Sequence, residues 1–215
     1  MRFTVVLFDL DGTLTDPEVG ITRSLAYALD AVGRPVTDLA SLRSLIGPPL
    51  IEAFTEMGLT PAEVDRALAS YRERYTEVGM FENELIDGMA SLLADLVSDG
   101  IRLGIATSKP ERFAMTIVEH FGIAEHFEVV AGASFDESRR HKDEVIAYAM
   151  EGLGDPEPRD AVMVGDREHD VLGARANAID AIGVLWGYGS RAELEAARPL
   201  ALVATLSELR ALLAG

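Results

Sequence analysis

Short runs of apolar residues recur along the chain, and their lengths suit buried β-strands. They occupy residues 3–8, 101–106, 127–131, 161–165 and 181–185. Several of these runs are apolar at nearly every position, which is typical of parallel strands that are covered on both faces. The pattern therefore predicts a parallel sheet in the interior of the protein.

The segments between the runs have the spacing of amphipathic helices. From Lys142 onward, apolar side chains at positions 145, 146, 149, 150 and 153 fall on one helical face, and residues 89–97 and 113–121 are patterned similarly. Alternating strands and helices are typical of α/β proteins with right-handed crossovers. We expect an α/β fold, with a Rossmann-like parallel sheet core and helices on both faces.

One interval lacks strand-like runs and has the pattern of successive helices. Asp16 and Pro17 form an N-cap followed by a helix-starting proline, and Thr60-Pro61-Ala62-Glu63 is a capping box that opens another helix. Apolar residues keep helical spacing up to about position 80. The sequence thus predicts an inserted α-helical cap domain over residues 16–81, and an α/β core domain formed by residues 1–15 and 82–215.

Four aspartates lie where two of the predicted strands end. Asp9 and Asp11 close the first run, and Asp166 and Asp170 follow the run at 161–165. Residues i and i+2 of a strand share a side, and ligands bind at the carboxyl ends of parallel strands. A single aspartate there is usually a turn former or a helix cap. Four converging carboxylates instead need a cation to offset their repulsion, and hard oxygen ligands favour Mg²⁺.

Composition and charge exclude several other classes. The formal net charge is −17 and the chain has no cysteine. Such an acidic chain, without a basic stripe, disfavours binding to nucleic acid polymers, and without cysteine it forms neither disulfides nor metal–thiolate sites. No stretch is apolar for 18 residues, and the first ten residues lack a signal-peptide pattern. We expect no membrane segment and a cytoplasmic location.

The motifs together resemble a known family. DLDGTLTD at positions 9–16 and VGDREHD at positions 164–170 are similar to motifs of the haloacid-dehalogenase-like hydrolase superfamily. Thr107 and Lys142 match two further motifs in the right order. The helical insertion, IGPPL at 46–50 and ATSKP at 106–110 resemble the phosphoglycolate phosphatase branch and its 5'-nucleotidase-like relatives.

The resemblance implies a role for each aspartate. Asp9 would be the nucleophile that forms an aspartyl-phosphate, and Asp11 would be the general acid and base. Asp9, the backbone carbonyl of Asp11, Asp166 and Asp170 would hold Mg²⁺, with Asp170 binding the metal either directly or through water. The expected cofactor is therefore Mg²⁺.

The resemblance also implies a phosphate-binding set. Thr107 and Lys142 would contact the phosphoryl oxygens and contribute to catalysis, with Gly12 and Ser108 as further phosphate-binding residues. Two alternatives stay open. Ser108 also fits a helix cap in the sequence Ser108-Lys109-Pro110-Glu111, and Lys109 competes with Lys142 for the phosphate.

The predicted cap domain would select the substrate. Arg43, Gly47, Pro48 and Pro49 are the candidates to face the active site, by resemblance and by their loop setting, although Arg43 equally fits a solvated helix residue. Two linkers, near residues 14–16 and 80–87, would act as a hinge that lets the cap close and exclude water.

The sequence as a whole predicts a Mg²⁺-dependent phosphatase that hydrolyses a small phosphorylated metabolite. The branch favours a phosphoglycolate phosphatase-like or 5'-nucleotidase-like enzyme, acting as a monomer or homodimer. A sugar-phosphate mutase of the β-phosphoglucomutase type shares all four motifs, and Thr13 favours a phosphatase over it only modestly. A non-catalytic phosphate-binding regulatory module on the same fold is the alternative from a different class.

Overall fold

Six of the strands form one parallel sheet at the centre of the fold. The computed structural model describes residues 3–47, 49–134 and 138–214. Its strands are β1 (Val5–Phe8), β2 (Thr15–Asp16), β3 (Glu84–Leu85), β4 (Arg102–Pro110), β5 (Val129–Ala133), β6 (Ala161–Gly165), β7 (Asp180–Val184) and β8 (Ala201–Val203). The sheet order is β5-β4-β1-β6-β7-β8, each neighbouring pair is parallel, and β2 and β3 form a separate two-stranded sheet.

The central position of β1 brings the ends of three strands together. Phe8 pairs with Ile105 of β4 on one side and with Val164 of β6 on the other. The chain leaves β1 toward β4 and β5, and later returns to the other side through β6. This reversal of strand order opens a crevice at the carboxyl ends of the strands, where open α/β sheets bind ligands.

Helices cover both faces of this sheet, as the sequence predicts. They are α4 (Met89–Ser98), α5 (Glu111–His120), α6 (Lys142–Gly152), α7 (Glu168–Ala176), α8 (Arg191–Ala197) and α9 (Leu206–Ala214). On one face, Val5 and Leu7 of β1 share a core with α6, α7 and α8. The alternate residues Val6 and Phe8 are also fully buried, and α4 and α5 pack on β4 while α9 packs on β8. The predicted α/β fold is therefore confirmed.

The chain divides into two compact units. One comprises Met1–Asp16 with Leu85–Gly215 and contains the sheet; the other is Pro17–Glu84. We call them the sheet unit and the helical unit. In the described residues, no helix has the length and apolar character needed to cross a membrane.

The helical unit is built on the packing of two long helices. It contains α1 (Glu18–Ala31), α2 (Leu50–Glu56) and α3 (Pro61–Glu77), with 3₁₀ turns at Leu39–Leu45 and Gly79–Phe81, and α1 packs against α3. Glu82 accepts hydrogen bonds from Arg23 and Arg74, at 2.6 and 2.8 Å. This pair of contacts ties the end of the unit to both helices.

Three local features differ from the sequence-based expectations. Helix α1 begins at Glu18 with Pro17 as its N-cap, so Asp16 belongs to β2 and is not a cap. Strand β4 extends to Pro110, four residues further than its apolar run, and Pro110 favours the extended conformation of Lys109 before it. Strand β8 has only three residues, which is too short to show a hydrophobic pattern.

Candidate active site

Asp9 directly follows β1 and continues its hydrogen bonding with β6. Its backbone N–H donates to the Val164 carbonyl at 2.9 Å, so the residue leaves β1 in a fixed orientation. Its side chain is 11% exposed. The carboxylate therefore lies at the carboxyl end of the sheet, largely shielded from solvent.

The residues after Asp9 form a tight turn that depends on a glycine. The Leu10 carbonyl accepts the N–H groups of Leu14 and Thr15, at 2.9 and 3.0 Å, and the Gly12 N–H donates to the Thr15 carbonyl at 2.7 Å. Gly12 has φ +84°, and a Cβ there would overlap the Asp166 carboxylate. The left-handed conformation and the close approach both require glycine. Gly12, a predicted phosphate-binding residue, thus uses its N–H to close this turn.

Asp166 is a fully buried carboxylate at the end of β6. It is 0% exposed; its Oδ2 accepts the backbone N–H of Tyr188 at 2.7 Å, and its Oδ1 accepts the Thr13 hydroxyl at 3.4 Å. Burial, with the neighbouring charges of Asp170 and Asp9, raises the pKa of Asp166 to about 8. The ionised form of Asp166 is therefore destabilised unless a cation offsets the neighbouring negative charges.

Asp170 approaches from the first turn of α7. Its Oδ2 accepts the Arg167 N–H at 3.0 Å, and it is 1% exposed. Gly165 makes this approach possible, since a Cβ on Gly165 would overlap the Asp170 side chain. Burial raises the pKa of Asp170 to about 6, although the ammonium group of Lys142 opposes the shift.

Lys142 joins two of the carboxylates. Its Nζ lies 2.9 Å from Asp9 Oδ1 and 2.7 Å from Asp170 Oδ1, and it donates to the Ala106 carbonyl at 3.0 Å. Burial alone would lower the pKa of Lys142, but Asp170 and Asp9 raise it above its usual value. The side chain therefore stays charged and holds α6, β1 and β4 together at the site.

Lys109 makes a second buried ion pair, with Asp11. The two side chains are 6% and 13% exposed, and Lys109 Nζ lies 2.6 Å from Asp11 Oδ2. Burial raises the pKa of Asp11 and the charge of Lys109 opposes that rise. Sequence reasoning left Lys109 only as a rival of Lys142; its signal was a lysine before a proline at a strand end, with no hint that Asp11 would be its partner.

Thr107 and Ser108 both lie within β4. Thr107 is buried, and its hydroxyl accepts the Lys109 N–H at 3.3 Å. Ser108 is half-buried. It is not a helix cap, since α5 begins at Glu111 with Pro110 in the N-cap position. The strand register shifts between Thr107 and Pro110, so the backbone of this segment is irregular beside the carboxylates.

The candidate cap residues lie in the helical unit. Arg43 is exposed and its Nε is 3.3 Å from Glu18 Oε2. Gly47 has φ +106° and Pro49 is the N-cap of α2. Pro48 lies outside the described residues.

The carboxylate cluster fits a divalent metal ion. Asp9, Asp166 and Asp170 each offer an oxygen, and these oxygens lie within 4.8 Å of one another. A carboxylate oxygen of Asp11, Oδ1, is buried and has no hydrogen-bond partner among the described residues. When all four aspartates are ionised, the two lysines leave two negative charges, which one Mg²⁺ would neutralise. The hard oxygen donors are those that Mg²⁺ prefers.

The loop after β7 contributes contacts that sequence reasoning missed. Trp186 Nε1 donates to the Thr13 carbonyl at 3.1 Å, and the Tyr188 hydroxyl donates to Asp16 Oδ1 at 2.5 Å. The available signal was the glycine-rich sequence Trp186-Gly187-Tyr188-Gly189 directly after a core strand. This sequence indicates that the backbone packs closely against another part of the protein, but it does not identify that part.

Known proteins are similar to this chain in sequence and in fold. A model of the haloacid dehalogenase-like hydrolase family matches residues 6–184. A 5'-nucleotidase from Pseudomonas aeruginosa is 44% identical over 99% of this chain and 96% of its own length. The tyrosine-protein kinase PtkA from Mycobacterium tuberculosis is 46% identical over 96% of this chain and 71% of its own length.

Structural similarity extends over the whole chain. The crystal structure of a predicted phosphatase from Clostridium acetobutylicum superposes with a TM-score of 0.94 at 42% identity, covering 100% of this chain and 99% of that one. The family model covers most of the sheet unit and the whole helical unit. From its sequence, its sheet and the aspartates at its strand ends, this chain belongs to the haloacid dehalogenase-like hydrolases.

Proposed function

We propose that this protein is a Mg²⁺-dependent phosphatase that hydrolyses a small phosphomonoester through Asp9. The observation that carries the proposal is the convergence of Asp9, Asp166 and Asp170 at the strand ends, with Lys142 in contact with two of them. Asp9, Asp166 and Asp170 would hold the metal, together with the backbone carbonyl of Asp11. When bound, the cation neutralises charge on the carboxylates and on the phosphate of the substrate.

The first step transfers the phosphoryl group to Asp9. A carboxylate oxygen of Asp9 attacks phosphorus, the bond from phosphorus to the leaving oxygen breaks, and Asp11 gives its proton to that oxygen. The raised pKa of Asp11, caused by burial, suits a group that must be protonated before this step. Lys142 and the Thr107 hydroxyl would stabilise the phosphoryl oxygens, because charge spreads over them in the transition state.

The second step releases phosphate. Asp11, now a carboxylate, takes a proton from water as that water attacks phosphorus. The bond from phosphorus to Asp9 then breaks, which restores the Asp9 carboxylate and the protonated Asp11. Lys109, 2.6 Å from Asp11, would stabilise the carboxylate form between the two steps.

Among the relatives named for hydrolysing a phosphate ester, the identities favour a nucleoside monophosphate as substrate. The 5'-nucleotidase relative is 44% identical, whereas a phosphoglycolate phosphatase from Pseudomonas aeruginosa is 27% identical. We infer that a 5'-nucleotidase-like activity is the first to test and a phosphoglycolate phosphatase-like activity the second. We also propose that Arg43 and the segment 47–49 of the helical unit select among these substrates.

Other phosphoryl acceptors define the alternatives. A mutase would return the phosphoryl group to a sugar hydroxyl. A tyrosine hydroxyl is a further candidate acceptor, because PtkA is 46% identical and is named a tyrosine-protein kinase. A non-catalytic module would bind phosphate without turnover.

A phosphate-release screen, together with product analysis of the sugar phosphates and a parallel incubation with labelled ATP and a tyrosine peptide, separates these functions. Nucleoside monophosphates, phosphoglycolate, sugar phosphates and p-nitrophenyl phosphate are each incubated with the protein, with and without Mg²⁺, and Asp9→Asn is the matched control. We expect Mg²⁺-dependent release that Asp9→Asn abolishes. Isomerised sugar phosphate without release would indicate a mutase, label transfer from ATP to a tyrosine peptide would indicate a kinase, and no turnover of any substrate would contradict an enzymatic function.

A further inference from the structure

The loop after β7 packs directly on a candidate metal ligand. The Tyr188 N–H donates to Asp166 Oδ2 at 2.7 Å. A Cβ on Gly187 would overlap the Asp166 carboxylate, and a Cβ on Gly189 would overlap the Asp166 carbonyl oxygen. The backbone of residues 187–189 therefore encloses Asp166 at a distance that only glycine allows.

The same loop is anchored at two outer points. Trp186 donates through Nε1 to the Thr13 carbonyl at 3.1 Å, and the Tyr188 hydroxyl donates to Asp16 Oδ1 at 2.5 Å. Thr13 and Asp16 belong to the turn that follows Asp9 and to the last residues of the sheet unit before the helical unit. The anchors thus connect the loop to the turn that follows β1.

These contacts have a direct consequence for Asp166. A buried carboxylate without fixed partners can rotate, and rotation weakens it as a ligand. A backbone N–H in hydrogen-bonding contact fixes its orientation. Gly12 adds to the restraint, because a Cβ there would overlap Asp166 Oδ2 and would also lie 2.8 Å from the Tyr188 ring.

We propose that the segment Trp186 to Gly189 is a positioning element that holds the Asp166 carboxylate in a cation-binding orientation, with the side chains of Trp186 and Tyr188 as its anchors. The proposal rests on the metal site of the proposed function and adds to it residues outside the candidate ligand set. Groups that orient metal ligands change metal affinity about 10–100-fold when they are removed.

The test measures Mg²⁺ binding to the substrate-free protein. Melting temperature is followed as Mg²⁺ is added, and Mn²⁺ binding is followed by electron paramagnetic resonance, for the wild type, Gly187→Ala and the double variant Trp186→Phe with Tyr188→Phe. We expect the apparent dissociation constant to rise about tenfold or more in Gly187→Ala and about threefold or more in the double variant. The double variant adds no atom that clashes, so it keeps the test open if Gly187→Ala does not fold.

Further measurements distinguish positioning from a general loss of structure. Tyr27→Phe removes the hydroxyl of an exposed tyrosine in α1 and should leave Mg²⁺ binding unchanged. At saturating Mg²⁺, kcat and KM of the double variant for p-nitrophenyl phosphate should return to within about twofold of the wild type.

Two outcomes would overturn the proposal in different ways. A lower metal-free melting temperature with an unchanged Mg²⁺ affinity in both variants would show that the segment serves the fold alone. A wild type that binds neither Mg²⁺ nor Mn²⁺ would overturn both this proposal and the metal site of the proposed function.

Discussion

The carboxylate cluster of the sheet unit and the candidate cap residues of the helical unit are built in opposite ways. In the cluster, Asp166 and Asp170 are 0% and 1% exposed, and each accepts a backbone N–H. In the helical unit, the Arg43 side chain is 54% exposed and its ion pair with Glu18 spans 3.3 Å. Buried groups with several partners have one geometry, whereas an exposed arginine has many. This contrast agrees with the proposed roles, in which the first region carries out the chemistry and the second selects the substrate.

The largest expected effect is the loss of activity when the proposed nucleophile, Asp9, is substituted. Asp9→Asn keeps the side-chain volume and removes the nucleophilic carboxylate, so kcat should fall about 10³-fold or more. Turnover of p-nitrophenyl phosphate measures activity, and circular dichroism checks the fold. Asp65→Asn, at an exposed position in α3, is the control. Retention of a tenth of the activity by Asp9→Asn would remove Asp9 from this role.

Removal of Lys142 should affect stability as well as activity. Lys142→Met leaves Asp9 and Asp170 without their shared ammonium group, and breaking a buried pair in this way costs about 3–5 kcal/mol. Urea unfolding of the metal-free protein measures the loss. Since Mg²⁺ would supply positive charge at the same place, added Mg²⁺ should recover part of it. An equal loss with and without Mg²⁺ would show that the lysine and the cation do not share these carboxylates.

The metal-free protein should lose stability as the pH rises. The pKa of Asp166 is raised to about 8 and that of Asp170 to about 6 in the folded state. Groups with a raised folded-state pKa contribute stability that is present below their unfolded pKa of about 4 and is lost as the pH rises through the folded value. The melting temperature should therefore fall between about pH 5 and pH 8.

The matched variant for this pH effect is Asp166→Asn. Its amide carbonyl can still accept the Tyr188 N–H, but it does not ionise, so the decline with pH should be shallower. Mg²⁺ should offset the decline in the wild type, since the cation stabilises the ionised carboxylates. Identical profiles of melting temperature against pH for the wild type and Asp166→Asn would contradict the raised pKa of Asp166.

The smallest expected effect is on substrate choice. Arg43→Ala should change the ratio of kcat/KM values for a nucleoside monophosphate and phosphoglycolate by about three- to tenfold, while p-nitrophenyl phosphate hydrolysis stays within twofold. The free energy of unfolding should change by less than about 1 kcal/mol, as for other exposed ion pairs. Glu18→Gln removes the charge that pairs with Arg43 but keeps the arginine, so it serves as the matched control for loss of the ion pair alone. An equal loss of kcat/KM on every substrate would show that Arg43 does not select among substrates, and would contradict the different roles proposed for the two regions.

The fold and the aspartates could be predicted because their signals are local. Asp9 and Asp11 are two residues apart just after β1, and Asp166 and Asp170 lie just after β6 and in the first turn of α7. The short spacing within each pair indicates that its members lie near the same strand end. The parallel sheet followed from apolar runs that are buried on both faces. These features need no knowledge of which strand lies beside which.

The remaining contacts join distant parts of the chain, and no local pattern encodes them. Lys109 meets Asp11 only because β4 lies beside β1. The Tyr188 N–H reaches Asp166 because β7 lies beside β6, and a backbone donor carries no residue-type signal at all. Strand β8 was missed because three residues are too few to show a pattern.

Lys142 has a consequence for how the protein is assembled. Its ammonium group already lies between Asp9 and Asp170, so the chain carries an internal counter-ion for these two carboxylates. Proteins whose ligand sets lack one often fold only as the metal arrives. If the cluster binds a metal ion as proposed, we expect the newly made chain to complete its fold before the ion arrives, and an ion to be exchanged without unfolding. Folding would then not depend on the momentary supply of metal.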